Sequence, residues 1–398
     1  MEKIKKLFKS EGAQSIISSI ISILIGILVG FLAMLIITFV NKDNSISDAF
    51  KGVGIIVKGP FSSTITKYML TNTGNMIFYA VPLIFTGLSV AIAYKTGLFN
   101  IGAPGQYVMG TIGSLFVALS LHSTSAFGSV LIWLLALVVG TICGALWGMI
   151  PGLLKAFFNI NEVIICIMTN WIAANISSWF FKYQTAIQST ENTKGGYLAK
   201  PLENFTPKLF FDKLFPGSLL DMGIIIAIIV AIIVYIIMNK TTFGFELKAC
   251  GSNKDAAKYA GLNEKRNIIL SITIAGALAG MGASLYYLNP GIEYKFVSAY
   301  LALPAYGFNG IASAFLANCN PVGVIFSSVF IRYLNMGGDY LVGAGFNRYV
   351  ADIVIAVIIY MAGFTRIIRE WLNGRMSKKK PEKDIRDTVV TSDSKEAK

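Results

Sequence analysis

Uncharged apolar stretches of about twenty residues recur along most of the chain, separated by short polar or basic connections. A stretch of that length crosses a hydrocarbon layer about 30 Å thick as a helix, whereas soluble cores use shorter ones. The pattern predicts an all-α polytopic membrane protein with spans at 15–40, 76–94, 101–120, 128–150, 162–181, 222–238, 268–288, 300–319, 322–336 and 348–364, about ten in all. Pro304, Gly307, Gly310 and Pro321 break the eighth and ninth. Such breaks are tolerated only where protein or an aqueous cavity satisfies the freed backbone, so these two are expected to be short or re-entrant.

The connections set the expected topology. Lys3, Lys5, Lys6 and Lys9 precede the first apolar run, which is too long for a signal-peptide core and lacks a small-residue cleavage site, so an uncleaved span is expected. With residues 1–14 in the cytoplasm, the basic segments 240–266 and 366–398 fall on the same side, together with roughly two-thirds of all Lys and Arg. An even number of spans then returns the C-terminus to the cytoplasm. The expected parts are a membrane domain at 15–370, with a cytoplasmic loop at 239–267 and an external loop at 182–220, and a disordered basic tail at 371–398. Spaced apolar residues in 41–74, among them Phe50, Val53, Ile56 and Val57, suit an amphipathic helix on the membrane surface.

Composition narrows the classes. The 398 residues are 55% hydrophobic and only 14% charged, too apolar for an ordinary soluble fold. The net charge of +13 sits at the ends and in the connections, which reports topology rather than a nucleic-acid partner. Cys143, Cys166, Cys250 and Cys319 show no paired spacing and read as packing residues.

Between the second and third spans lies the glycine-rich run TGLFNIGAPGQ at 96–106. Gly97, Gly102 and Gly105 allow close approach and unusual backbone angles, while Asn100 and Gln106 satisfy freed peptide groups or face a substrate path. Residue types alone leave a capped interhelical turn and a substrate lining equally open. In the basic loop, 255–260 reads as a short helix capped by Ser252 or Asn253, and Ala256 and Ala257 give it a small-residue face. A solvated connection is the alternative.

The run at 96–106 resembles the signature of permease subunits in ATP-binding-cassette importers of the simple-sugar, nucleoside and branched-chain amino acid group. The stretch GFELKACGSNKDAAKYAG at 244–261 resembles that family's ATPase-docking loop, and YGFNGIA at 306–312 with NPVG at 320–323 resembles its last signature. Order and spacing agree from about residue 76 to 370. The resemblance implies an inverted repeat relating spans two to five to seven to ten. It also implies cytoplasmic ATP-binding subunits, a second permease subunit (identical or homologous) and a substrate-binding lipoprotein as partners within the lipid of the plasma membrane. Glu246, Gly251, Asn253, Ala256, Ala257 and Gly261 would form the coupling surface. The signatures look closest to the nucleoside branch, with a ribose-type sugar importer as the alternative. The chain departs from the family pattern at Pro104 and Asn309, where acidic residues are usual; both changes suggest a more neutral cavity and an uncharged substrate.

Polar and aromatic groups that would be wasted on lipid are the expected substrate contacts: Asn100, Gln106, Asn170, Trp171, Asn175, Phe308 and Asn309. Buried Asn also serves as interhelical glue, and that role stays open for each. Ionisable groups inside spans are few: Glu162, Arg332, and Arg348 with Asp352 at pairing distance along a helix. His122 falls in a short external turn. No GxxxxGK[ST] loop and no metal-ligand spacing occurs, so neither ATP hydrolysis nor a cofactor of its own is expected. A secondary transporter would need core carboxylates, and a membrane enzyme a nucleophile with its base; the sequence offers little for either.

Overall fold

The computed structural model describes residues 11–40, 45–191, 193–200, 203–347 and 349–363. The basic residues ahead of residue 11, the tail at 371–398, and Arg348 with its expected pairing lie outside the described residues.

The helices are α1 (Glu11–Val40), α2 (Ile46–Lys58), α3 (Thr66–Lys95), α4 (Ala103–Ser120), α5 (Ala126–Phe158), α6 (Glu162–Lys182), the single turn α7 (Phe211–Leu214), α8 (Gly223–Lys240), α9 (Thr242–Ser252), α10 (Lys254–Tyr259), α11 (Glu264–Tyr287), α12 (Ala305–Leu316), α13 (Pro321–Leu341) and α14 (Tyr349–Gly363). Among the described residues the only extended pairings are isolated bridges, Gln188 with Leu198 and Tyr197 with Lys295. The all-α expectation holds.

Side-chain caps start several helices where the sequence changes from polar to apolar. Asn161 accepts from the Val163 N–H ahead of α6, Asn263 from Arg266 ahead of α11, and Asn320 from Val322 and Gly323 ahead of α13.

Among the described residues 5 helices are long and apolar enough to cross a membrane (α3, α5, α6, α8 and α11), or 6 if the bent pair α12–α13 counts as one span. The expected eighth and ninth spans are the ones the structure breaks up. Helix α12 has 12 residues, about 18 Å at 1.5 Å per residue, and covers only part of the hydrocarbon depth. Between it and α13 the chain turns through 120°, with Asn318 and Cys319 in the left-handed region, so the predicted break at Pro321 is a sharp corner.

One boundary and one placement differ from the hydropathy pattern. Helix α3 begins at Thr66, ten residues before the expected 76, because tertiary bonds hold its polar first turns. Thr71 Oγ1 donates to the Pro216 carbonyl (2.7 Å), and Asn75 Oδ1 accepts from the Leu219 N–H (2.8 Å). The expected amphipathic helix is α2, started by a Ser45–Asp48 capping box. Its Ala49, Gly52 and Ile56 turn inward against Met34 of α1 and Gly337 of α13, while Phe50 and Val57 stay exposed.

The centre of the bundle is a glycine seam. Gly140, Gly144, Gly148 and Gly152 recur every fourth residue on α5; the first three meet Gly276 and Gly280 of α11, and Gly152 meets the Ile269 backbone one turn further. A Cβ on Gly276 would run into the Gly144 carbonyl, and one on Gly280 would lie 2.6 Å from the Gly140 carbonyl. The backbones touch, the geometry that small-xxx-small stripes permit in lipid, where no hydrophobic drive pulls helices together.

Candidate functional site

One end of the bundle gathers the turn after α3, the α9–α10 pair, the start of α6 and the α12–α13 corner. Helix α3 closes with a Schellman motif: the Leu98 N–H reaches the Ala93 carbonyl and the Gly97 N–H the Tyr94 carbonyl, both at 3.0 Å. Gly97 takes φ +76°, which favours glycine. Gly251 of α9 lies against this turn so closely that a Cβ there would meet the Gly97 nitrogen at 2.8 Å. Thr96 is further tied to α11, accepting from the Ser271 hydroxyl at 2.8 Å.

Helix α9 covers what the sequence suggested was a loop, and α10 follows it directly, capped by Asn253, whose Oδ1 accepts from the Ala256 N–H (3.0 Å). Of the two expected docking alanines, Ala256 faces outward and Ala257 is buried against the bundle. Glu246 is half-buried and Gly261 takes φ +79° at the turn into α11. The large exposed groups on this surface are Phe245 (68% exposed) and Tyr259 (94%), residues that periodicity did not single out as contacts. Beside them a cavity of about 520 Å³ is lined by Lys95, Phe99, Lys248 and Gly251 together with Glu162, which is paired to Lys155 at 3.0 Å.

Behind the Gly97 turn, three of the expected substrate contacts form a closed polar cluster. Asn100 Nδ2 donates to Ser89 Oγ (3.0 Å) and to Gln106 Oε1 (2.9 Å), and Gln106 Nε2 donates back to Asn100 Oδ1 (3.2 Å). Asn170 of α6 clamps the start of α4, accepting from the Gly105 N–H (2.8 Å) and donating to the Ile101 carbonyl (2.9 Å). The physical need is plain: Gly102 stands at the N-cap of α4 without a side chain, so a neighbouring helix satisfies the first N–H groups. All three side chains are buried and spend their bonds within the chain. Trp171 and Asn175 lie on the opposite, exposed face of α6, where Asn175 Nδ2 bonds the Trp171 carbonyl (2.9 Å).

The other two expected contacts, Phe308 and Asn309, are exposed on α12. Asn309 lines a cleft of about 430 Å³ with Tyr306, Arg332, Asn335 and Asp352. Arg332 holds its guanidinium carbon 4.9 Å from the centre of the Tyr79 ring. Tyr306 continues into an aromatic layer, 4.9 Å from Tyr286 and 6.3 Å from Tyr107 between ring centres. Pro104, one departure from the family pattern, packs on Gly307, two residues before the other, Asn309: a Cβ on Gly307 would meet Pro104 Cα at 2.5 Å, so the starts of α4 and α12 lean on each other.

At the far end, the loop after α6 is ordered by Asn204, which donates to the Ala118 and Leu121 carbonyls (2.8 and 2.7 Å), and by Glu293, which bridges Lys194 and Lys200. Hydrogen bonds from those two ammonium groups hold the Glu293 carboxyl below the usual carboxylate range. His122 lies in its expected turn, 3.2 Å from Glu203. Among the described residues no group of His, Cys, Asp or Glu could hold a metal ion.

A bundle of apolar helices with a separate docked helix pair at one end defines a multi-pass membrane transport subunit. The chain belongs to the family described as branched-chain amino acid transport system / permease component, whose model matches residues 72–363. It is 36% identical over 308 residues to the guanosine ABC transporter permease protein NupP of Bacillus subtilis, covering 77% of this chain and 84% of that protein. It is 37% identical over 293 residues to the nucleoside ABC transporter permease protein NupB of Lactococcus lactis, covering 73% and 79%. The galactose/methyl galactoside import permease protein MglC of Escherichia coli is 24% identical over 304 residues, covering 75% and 86%. No solved structure matches the chain. Membership of this family implies an ATP-binding subunit and a binding protein as partners.

Proposed function

We propose that this chain is the membrane-spanning subunit of an ATP-driven importer that carries nucleosides across the plasma membrane. The observation that carries the reading is the backbone contact between Gly251 and the Gly97 turn. A rigid contact of this kind passes displacement from a gripped helix into the membrane body, where a side-chain cushion would absorb it. From Gly97 the chain of contacts runs through the Asn100–Gln106 pair to the start of α4, and across Pro104–Gly307 to Asn309 and its cleft. Closure of ATPase subunits beneath α9 and α10 would rock α4 and α12 together and alternate access to the cleft.

In this reading the α9–α10 end faces the cytoplasm with both termini, as the distribution of Lys and Arg supports. Glu246, Asn253, Ala256 and Gly261, with the exposed rings of Phe245 and Tyr259, form the ATPase-facing surface, while Gly251 and Ala257 seat α9 and α10 on the bundle. The relatives' names favour nucleosides over sugars, because the two nucleoside permeases are 36% and 37% identical and the galactoside permease 24%. Either a second copy of this chain or a homologous subunit completes the membrane unit.

Two measurements test this. Deleting the ATP-binding partner while the ion gradients stay intact is expected to abolish nucleoside uptake; persistence would indicate an ion-coupled carrier. Gly251→Leu is expected to reach the membrane at wild-type level yet lower uptake more than about a hundredfold, because the side chain forces α9 off the turn. Undiminished uptake in that variant would remove the coupling assignment.

A further inference from the structure

A basic cavity opens at the α9–α10 end, and the contacts from Gly251 to Asn309 make no use of it. The sharp bend between α12 and α13 leaves a gap of about 290 Å³ over the ends of α3 and α8. Lys95, from the last turn of α3, and Lys248, from α9, line it together with Asn239 and Asn318, and no acidic residue does. Asn239 Oδ1 accepts from the Lys248 ammonium at 3.1 Å and fixes its place, while Lys95 has no hydrogen bond or ion pair among the described residues. Both lysines also border the neighbouring cavity of about 520 Å³, whose one carboxylate, Glu162, is already bound to Lys155. Two ammonium groups on one gap repel each other, an arrangement that an anion between them relieves.

The rest of the gap is apolar, with Ile92 and Met238 in its wall. On α8, Ile229, Ile232, Ile233 and Ile236 form an exposed stripe at helical spacing, and Asn239 stands three residues further along the same face. An acyl chain lying on that stripe therefore ends at the gap. We propose that the gap binds the headgroup of an anionic phospholipid, with Lys95 and Lys248 on its phosphodiester and one acyl chain along the α8 isoleucines. An ammonium acts as a point charge on phosphate, and basic pockets between helices at the membrane rim recognise acidic headgroups. An acidic side chain of the ATPase would answer the charges but leaves the isoleucine stripe without a part. Because Lys248 belongs to α9 and Asn318 to the α12–α13 corner, the bound lipid joins the docked helix to the bend. The gap lies at the end that the proposed function turns to the cytoplasm, and binding itself does not depend on that orientation.

The test is the melting temperature of the detergent-purified full-length subunit, titrated with phosphatidylglycerol, phosphatidylcholine or inorganic phosphate at matched concentrations. Phosphatidylglycerol is expected to raise it saturably and the other two to leave it unchanged. In the double variant Lys95→Gln, Lys248→Gln the half-saturating concentration is expected to rise about twenty-fivefold, about fivefold for each lysine lost. The control Lys240→Gln, Lys258→Gln removes the same charge from exposed positions outside the gap and is expected to shift it less than about twofold. Gln at 248 keeps a donor for Asn239, and should the double variant fail to fold, Lys95→Gln alone decides, with a shift of about fivefold. Equal weakening in both double variants would overturn the site in favour of diffuse surface attraction. Equal stabilisation by inorganic phosphate would replace the lipid with a free anion, and by phosphatidylcholine would remove the charge from the account. An unchanged phosphatidylglycerol titration, with loss of ATPase co-purification, would give the two lysines to the partner protein instead.

Discussion

Two polar clusters sit inside the same apolar bundle and are built on different terms. Around Asn100, Gln106 and Asn170 the side-chain amides answer one another and the start of α4, so the cluster closes without help. Around Asn309, Arg332 and Asp352 the polar side chains instead border an open cleft of about 430 Å³. Residue type does not separate them, because both use asparagine near a helix break. What separates them is packing: the first cluster is sealed by its own hydrogen bonds, and the second borders a cavity.

The contrast can be broken most sharply at Asn170. Asn170→Ala strands the Gly105 N–H and the Ile101 carbonyl in a dry site, so a loss of about 3 kcal/mol is expected, read as a lower melting temperature of the detergent-purified subunit. A melting temperature equal to wild type would mean that the closed cluster is not structural. Asn309→Ala should do the reverse, changing stability by less than about 0.5 kcal/mol while lowering nucleoside uptake several-fold. The smallest effect belongs to a closed cluster in contact with water, Glu293 with Lys194 and Lys200. Its folded carboxyl titrates below the usual 4.5, so its contribution is fully present above that value and fades as pH falls through the lowered one. Glu293→Gln should therefore melt like wild type at acid pH and differ only slightly at neutral pH; a large difference at neutral pH would show that exposure had been misjudged.

Much of this architecture was legible in the chain. The apolar runs located the helices, the basic connections marked the α9–α10 end, and the caps at Asn253 and Asn320 fell where a polar residue precedes a helix. What the residues alone left open was pairing across the fold. The early start of α3 depends on the 215–219 loop, which no local pattern reveals. The four-residue glycine spacing on α5 was visible, but its partner stripe on α11 lies more than a hundred residues away. Asn100, Gln106 and Asn170 looked like substrate contacts as much as Asn309 did, since a list of residue types does not show which amides bond each other. Arg332 stood out as a charge in a span; its open cleft and the neighbouring Tyr79 ring emerge only from the packing of α3, α12, α13 and α14.

The meeting of Pro104 and Gly307 has a consequence for descent as well as for movement. Position 307 has no room for a single added carbon while the α4 backbone stays where it is, so the two sites are not free to drift separately. A lineage moving toward an acid at 104 would have to re-space both helices at once, and a swap of either signature segment alone between relatives should yield a misfitted hybrid where a paired swap survives.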